Sequence, residues 1–431
     1  MNPIPITVLA EPLNDTMIAV EWHGSNDIRI NTKRQKPVLI QPTDAIVRIT
    51  GTTICGSDLH LYHNEIPGMK KADIVGHEGM GIVGEKVANI KPNNRVVISA
   101  MIACGQCEYC QKKLFSCCDV TNPSKEMDEL SGNYQSFSPS NFCHRSNIYN
   151  GFSGYRTCGM FGYSHLTGGY DGIQAEYVRV PYADVNLLQV SEEDYQTLGE
   201  KLVLLSDVAC TGWHANELGE VSKGDIVGIW GCGPIGLSAI AWAKFRGASR
   251  IIAIDCVPQR LAKAHDFGAE TINFKEHKDI VAKMKFIVPG GLDVAIECAG
   301  FRYTKTLKQL VEKTLLAETD STDALDEAIR CVKKGGRISI VGVFVEKVNN
   351  FPIGAVMEKS LTLRSGLVQV QKYWVQLLSI MKINKVNMNI FTHHGNLEDA
   401  GKFYKMFDKK ENGVIKVFLR VGDQCKNQHE R

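Results

Sequence analysis

Residues 225–255 read D-I-V-G-I-W-G-C-G-P-I-G-L-S-A-I-A-W-A-K-F-R-G-A-S-R-I-I-A-I-D. The apolar, β-leaning run Ile226–Trp230 feeds Gly231, Gly233 and Gly236, with Pro234 and Ile235 inside the same G-x-G-x-x-G turn. Leu237, Ile240, Ala241 and Phe245 then recur at helical spacing until Gly247 stops the helix. A second apolar run, Ile251–Ile254, ends on Asp255, about twenty residues beyond the last glycine. Glycines alone also punctuate ordinary turns. Strand, glycine turn, helix, strand and terminal acid in this order make a βαβ unit with a dinucleotide fingerprint. Gly231 permits the tight turn, Gly233 lets backbone approach a pyrophosphate, and Gly236 lets helix and strand pack closely. The helix start, at Pro234 and Ile235, turns unpaired N–H groups and the positive dipole end toward the phosphates.

Asp255 selects between cofactors. A carboxylate there accepts hydrogen bonds from an adenosine ribose 2′-OH and repels a 2′-phosphate, and Cys256 and Val257 supply no cation to reverse that. The sequence therefore predicts NAD rather than NADP. The competing reading is a solvated aspartate at a strand end.

At 431 residues the chain is long for one core, so two domains are expected. The 49 basic and 47 acidic residues nearly cancel, which argues against nucleic acid or a membrane surface as partner. The start, M-N-P-I-P-I-T-V-L-A-E-P, has neither a signal peptide's basic start and apolar core nor a transit peptide's arginine-rich pattern. No apolar run approaches the length of a bilayer span. The chain holds 14 cysteines, several of them single within core-like segments (Cys232, Cys298, Cys331). A reducing compartment with metal-binding thiols accounts for this better than disulfides do, and a cytoplasmic location is expected.

Along the chain, residues 1–16 are proline-rich and unpatterned and read as a disordered extension. Met17–Trp22 and Ala45–Thr53 read as strands, the second delivering I-C-G-S-D-L-H with Cys55, Ser57 and His60 in one turn. In V-G-H-E-G-M-G, His77 and Glu78 open a glycine-rich strand. Residues 131–160 are rich in Ser, Asn, Gly and aromatics and read as a long surface loop. Leu198–Leu205 reads as a helix. Beyond the nucleotide unit come a helix from Pro258 to Gly268, a strand at 293–297, a helix around 322–334 ended by Gly335–Gly336, and a strand at 337–341. Strands alternating with helices predict an α/β fold with a doubly wound parallel sheet. A helix at Lys372–Lys382 and a strand at Val414–Val421 close the pattern.

The run C-G-Q-C-E-Y-C-Q-K-K-L-F-S-C-C sets Cys104, Cys107, Cys110 and Cys118 in a C-x2-C-x2-C-x7-C array. Two-residue gaps let successive thiolates point at one centre, and a fourth closes a tetrahedral cage with no position left for water or substrate. This predicts a structural zinc in a lobe at about 100–120. Disulfides and a redox C-x-x-C pair are the alternatives, and Cys117 competes with Cys118 as the fourth ligand.

C-G-S-D-L-H, G-H-E, the four-cysteine array and G-x-G-x-x-G, in this order, resemble the zinc-dependent medium-chain alcohol dehydrogenases. The segments Q-A-E-Y-V-R-V-P-Y-A-D-V-N, L-S-D-V-A-C-T-G-W-H and V-Q-K-Y-W are similar to the glutathione-independent formaldehyde dehydrogenase and dismutase branch. The resemblance covers about Met17 to Val421. It implies a GroES-like, β-rich catalytic domain at 17–205, a Rossmann domain at 206–362 and a return to the catalytic domain over 363–431. It implies two Zn2+ ions per chain, NAD, a small alcohol or aldehyde substrate and a homodimer or homotetramer.

Residue by residue, the resemblance makes Cys55, His77 and Asp207 the ligands of a catalytic zinc, with Cys210 a misaligned rival to Asp207. Ser57 becomes a relay hydroxyl and His60 its onward proton carrier. Glu78 becomes the acid beside the zinc, Thr211 a nicotinamide contact and Arg260 a cation near the adenosine ribose. Outside that family each has a plainer role: Ser57 as a turn former, Glu78 as a solvated charge. His393 and His394 are adjacent on a strand and face opposite sides, so no shared metal is expected. Gly79 stands where the close branch often carries a bulky residue, which implies a wider pocket. The rivals for function are a dehydrogenase of bulkier secondary alcohols or polyols and a zinc-binding, non-catalytic regulator.

Overall fold

The computed structural model describes residues 15–84, 90–124, 156–300, 323–344, 351–383 and 386–422. The glycine turn lies where the sequence places it. Strand Ile226–Trp230 runs into Gly231, helix Pro234–Phe245 starts with proline at its first position, and strand Arg250–Asp255 returns in parallel register. Proline has no N–H to leave unpaired there, so it costs the helix nothing and presets its first turn.

These strands sit in a six-stranded, all-parallel sheet. Its order is Glu270–Asn273, Arg250–Asp255, Ile226–Trp230, Leu292–Glu297, Val332–Ile340, Thr362–Ser365. In chain order that is 3-2-1-4-5-6, the doubly wound arrangement whose ligand crevice opens at the carboxyl ends where the order reverses. Val227, Ile229, Trp230, Val294, Ala295 and Ile296 are all fully buried, as a strand covered on both faces requires. The last helix and strand differ from expectation. The helix is Asp323–Cys331, and the strand begins already at Val332. Its register jumps from Leu292↔Val332 to Val294↔Arg337, and the extra residues contain Gly335 at φ +71°, a bulge that glycine tolerates.

The second layer is a seven-stranded sheet. Its path is Leu187–Val190, Arg95–Ile98, Gly79–Val83, Ala45–Ile54, Val417–Arg420, His393–Asn396, with Tyr177–Val180 also on Ala45–Ile54. All pairs are antiparallel except the last. Early in Ala45–Ile54, Ala45, Val47 and Ile49 face the core, while residues 51–54 are buried throughout as the strand dives toward Cys55. Cys55 and Ser57 do not lie in a simple turn: Cys55 caps a short helix, Gly56–Tyr62. The helix expected at Leu198–Leu205 is Glu192–Leu198, stopped by Gly199 at φ +53°, followed by a 3₁₀ stretch, Gly199–Ser206, that leads into Asp207. The closing strand, Val417–Arg420, is shorter than the expected 414–421, and the backbone N–H groups of Ile415 and Lys416 are taken by the Thr392 hydroxyl.

The extension at 1–16 lies outside the described residues up to Asn14, as does the long loop up to 155. The end of that loop, Gly159–Met160, pairs with Met101–Ile102. The expectation that Gly79 widens a pocket is corrected: a Cβ there would lie 2.2 Å from Ile173 Cγ2, so Ile173 already fills the space. Among the described residues no helix is long and apolar enough to cross a membrane.

Candidate active site

Three separated pieces of chain converge beside helix Gly56–Tyr62. Cys55 sits at its N-terminus, His77 and Glu78 precede strand Gly79–Val83, and Asp207 precedes helix Val208–Leu218. One donor atom from each of Cys55, His77, Glu78 and Asp207 lies within 4.8 Å of every other. His77 Nε2 faces the group, 3.6 Å from Asp207 Oδ2 and 3.9 Å from Glu78 Oε1. Ser57 Oγ lies 3.3 Å from the same nitrogen. Cys210 stays out: it is fully buried, and its Sγ turns back to the Leu205 carbonyl at 3.3 Å.

Asp58, which sequence reasoning passed over, orders this group. Its Oδ2 accepts the Cys55 N–H at 2.8 Å and its Oδ1 lies 3.1 Å from His77 Nδ1. A carboxylate against Nδ1 keeps a proton on that nitrogen, so Nε2, facing Cys55 and Asp207, is the nitrogen a metal would take. Burial works against an imidazolium, but the Asp58 and Asp207 carboxylates hold His77 well above the ordinary histidine range. Burial likewise opposes charge on Asp207. His77 and the Thr211 hydroxyl, which donates to Asp207 Oδ1, together hold Asp207 below the usual carboxylate value. Thr211, expected at the nicotinamide, therefore directs its polar group to this set.

Glu78 is not a solvated charge. It is buried, accepts from the Thr53 hydroxyl, and is paired with Lys416, whose Nζ is 2.7 Å from Oε1 and 2.6 Å from Oε2. Burial disfavours the ammonium, yet Glu78 holds Lys416 above its ordinary value. The sequence signal was available: Lys416 is the lone cation in the apolar run V-I-K-V-F-L. His60 is buried and its Nδ1 lies 2.6 Å from Glu65 Oε2, a partner five residues on. Tyr163 stands edge-on to His77, with ring centroids 6.2 Å apart.

A thiol, an imidazole and a carboxylate around one point are a donor set that suits zinc, with room for one further ligand. Cys104, Cys107, Cys110 and Cys118 form a second group within the same 4.8 Å limit. Cys104 and Cys110 sulfurs are 4.0 Å apart and Cys107 and Cys118 sulfurs 3.8 Å, while Cys117 instead faces Ser116 Oγ at 3.9 Å. Backbone N–H groups of Gln106 and Cys107 point at Cys104 Sγ at 3.4 and 3.3 Å. A hydrogen bond from Cys110 drives Cys118 down to about 4 and pushes Cys110 up, the split expected of packed thiols that share few positive neighbours. None of the twelve described cysteines is in a disulfide.

The glycine turn forms a separate cradle. Gly231 has φ +92°, and a Cβ on Gly236 would lie 1.8 Å from the Gly231 carbonyl oxygen, so neither position accepts a side chain. Above Gly233 the space is open as far as Arg260 Nη1, 4.0 Å from where a Cβ would be. Asp255 receives the N–H groups of Cys232, Cys256 and Val257 at 2.8, 2.6 and 2.9 Å, and Arg260 Nη1 lies 4.0 Å from its Oδ2. The buried Arg260 Nε has no partner among the described residues. His393 and His394 part as expected, the second bonding Glu200 at 2.8 Å.

Comparison with known proteins agrees with this architecture. Residues 41–190 match the alcohol dehydrogenase GroES-like domain and residues 234–317 the zinc-binding dehydrogenase family. A zinc-type alcohol dehydrogenase-like protein of Schizosaccharomyces pombe is 38% identical over 95% of this chain and 92% of its own. A glutathione-independent formaldehyde dehydrogenase of Bacillus subtilis is 30% identical over 87% of this chain and 86% of its own. The solved alcohol dehydrogenase of Thermus sp. ATN1 superposes with a TM-score of 0.74 at 30% identity, over 94% of this chain and all of that one. Two folded layers and full-length likeness lead to one assignment: the chain belongs to the zinc-dependent alcohol dehydrogenase family of oxidoreductases.

Proposed function

We propose that this chain is an NAD-dependent dehydrogenase of small alcohols and aldehydes, formaldehyde among them. The observation that carries the reading is the convergence of Cys55, His77 and Asp207 around one point, with the Ser57 hydroxyl 3.3 Å from His77 Nε2. Zinc held by those three residues would supply a Lewis acid for the substrate oxygen, and NAD on the glycine turn a hydride acceptor.

The chain's own groups handle the proton. Ser57 Oγ would take the proton of the substrate hydroxyl, and His60 would receive it for release to solvent. His60 Nδ1, 2.6 Å from Glu65 Oε2, is held in one orientation. The substrate C–H leaves with its electron pair as hydride, so one alcohol yields one aldehyde, one hydride and one proton. Asp58 fixes the His77 ring throughout.

NAD over NADP is supported by the accounting at Asp255. A carboxylate offers about four acceptor sites, and three backbone N–H groups leave one for a 2′-OH, while its negative charge repels a 2′-phosphate. Formaldehyde is supported by the likeness to the B. subtilis formaldehyde dehydrogenase and by Ile173, which fills the space beside Gly79. A cofactor-reduction screen tests the reading. Short alcohols and aldehydes should turn over with NAD, and turnover confined to bulky secondary alcohols or polyols, or to NADP, would overturn it.

A further inference from the structure

Lys416 is a fully buried cation beside the metal-ligand set, and its ammonium is paired with one residue of that set, Glu78. Its position follows from strand register. Val417 is opposite Ile54 and Phe418 opposite Thr53, so one step further brings Lys416 alongside Cys55. There its Nζ reaches both oxygens of Glu78, at 2.7 and 2.6 Å, while the Thr53 hydroxyl donates to Oε2. Glu78 is nonetheless close enough to Cys55, His77 and Asp207 to act as a fourth donor with them. Four protein donors would complete a tetrahedral set and leave no position for a substrate oxygen.

We propose that Lys416 is a positioning residue that holds Glu78 away from the metal and so keeps the fourth coordination position open. The proposal rests on the metal-site reading above. Charge supports it: thiolate and carboxylate from Cys55 and Asp207 balance a divalent ion, and Lys416 balances Glu78 separately. Moving Glu78 onto the ion would leave one excess negative charge there and a buried ammonium without its partner. A pair that served only to anchor the closing strand would need no such alignment with the donor set.

The test uses the full chain with cobalt exchanged into this site, the signal being the part of the visible spectrum that a Cys55→Ser variant lacks. Imidazole serves as an added ligand for the open position. In Lys416→Met, Glu78 is expected to move onto the ion. The visible bands should shift while keeping tetrahedral intensity before any imidazole is added, because a carboxylate replaces the outside ligand, and imidazole affinity should fall by roughly tenfold or more. Lys416→Met/Glu78→Gln should bind imidazole again within about threefold of the parent protein. Should Lys416→Met fail to fold, Thr53→Val removes the other tether without burying a lone charge. It is expected to weaken imidazole binding by roughly twofold to fivefold, and unchanged binding would overturn the proposal. Imidazole binding in Lys416→Met equal to the parent's, or no recovery in the double variant, also overturns it. Absence of any Cys55-dependent cobalt signal in the parent would instead overturn the metal-site reading, and this proposal with it.

Discussion

Replacing Asp58 by asparagine changes one oxygen to an NH2 and should weaken the metal site although Asp58 is not one of its donors. The carboxylate takes the Cys55 N–H at 2.8 Å and meets His77 Nδ1 at 3.1 Å, and it is buried. Asparagine has one acceptor oxygen, so it can serve one of these donors and must present its NH2 to the other. If the oxygen stays on Cys55, the NH2 faces Nδ1, and the ring proton is driven to Nε2, the nitrogen that faces Asp207. A buried contact between a carboxylate and the imidazole it orients, 3.1 Å here, contributes about 1.5–3 kcal/mol. At about 1.4 kcal/mol per factor of ten, losing it should weaken zinc or cobalt binding by roughly 10- to 150-fold. Chelator competition on the full chain measures this, and the ion of the four-cysteine lobe is an internal control that should not move. A thermal melt reports whether the variant is folded. Metal affinity within about twofold of the parent, in a folded Asp58→Asn chain, would refute the reasoning.

Other outcomes follow from the same geometry. Asp207→Ala should remove one metal ion per chain and leave the other in the cysteine lobe, as counted by elemental analysis; loss of neither ion or of both would be inconsistent with two independent sites. Gly236→Ala places a Cβ 1.8 Å from the Gly231 carbonyl oxygen. It should lower stability by about 1–3 kcal/mol and abolish NADH binding in a fluorescence titration while metal content is unchanged. Burial, partly offset by the N–H groups of Gly300, Ala299 and Gly342, pushes the Glu297 carboxyl from 4.5 up to about 7. Between those values the native chain binds more protons than the unfolded one, so this group's contribution falls as pH rises, by up to about 3 kcal/mol above pH 7. Glu297→Gln should remove that fall, and a difference in unfolding free energy that does not change between pH 4.5 and 7 would contradict it.

The nucleotide unit was legible because every constraint on it is local. A glycine that must adopt φ +92°, a glycine with no room for a Cβ and an acid at a strand end all fall within one βαβ span. The cysteine array was legible for the same reason, although only the folded lobe distinguishes Cys118 from Cys117. Cys55, His77 and Asp207 came from resemblance, since nothing in local spacing joins residues so far apart. Asp58 stood in plain view three residues after Cys55, but its role depends on where His77 arrives. Lys416 is more than 300 residues from Glu78, and only the pairing of Val417–Arg420 with Ala45–Ile54 brings it to the site. The early end of helix Asp323–Cys331 was hidden because Gly335–Gly336 marks a bulge within a strand, where the sequence suggests a helix stop.

The most direct measurement is anomalous diffraction at the zinc edge from crystals of the full chain. Two peaks per chain are expected, one enclosed by Cys104, Cys107, Cys110 and Cys118, the other between Cys55 Sγ, His77 Nε2 and Asp207 with Glu78 still on Lys416. A single peak in the cysteine lobe, or a second peak that Asp207 does not touch, would contradict the account.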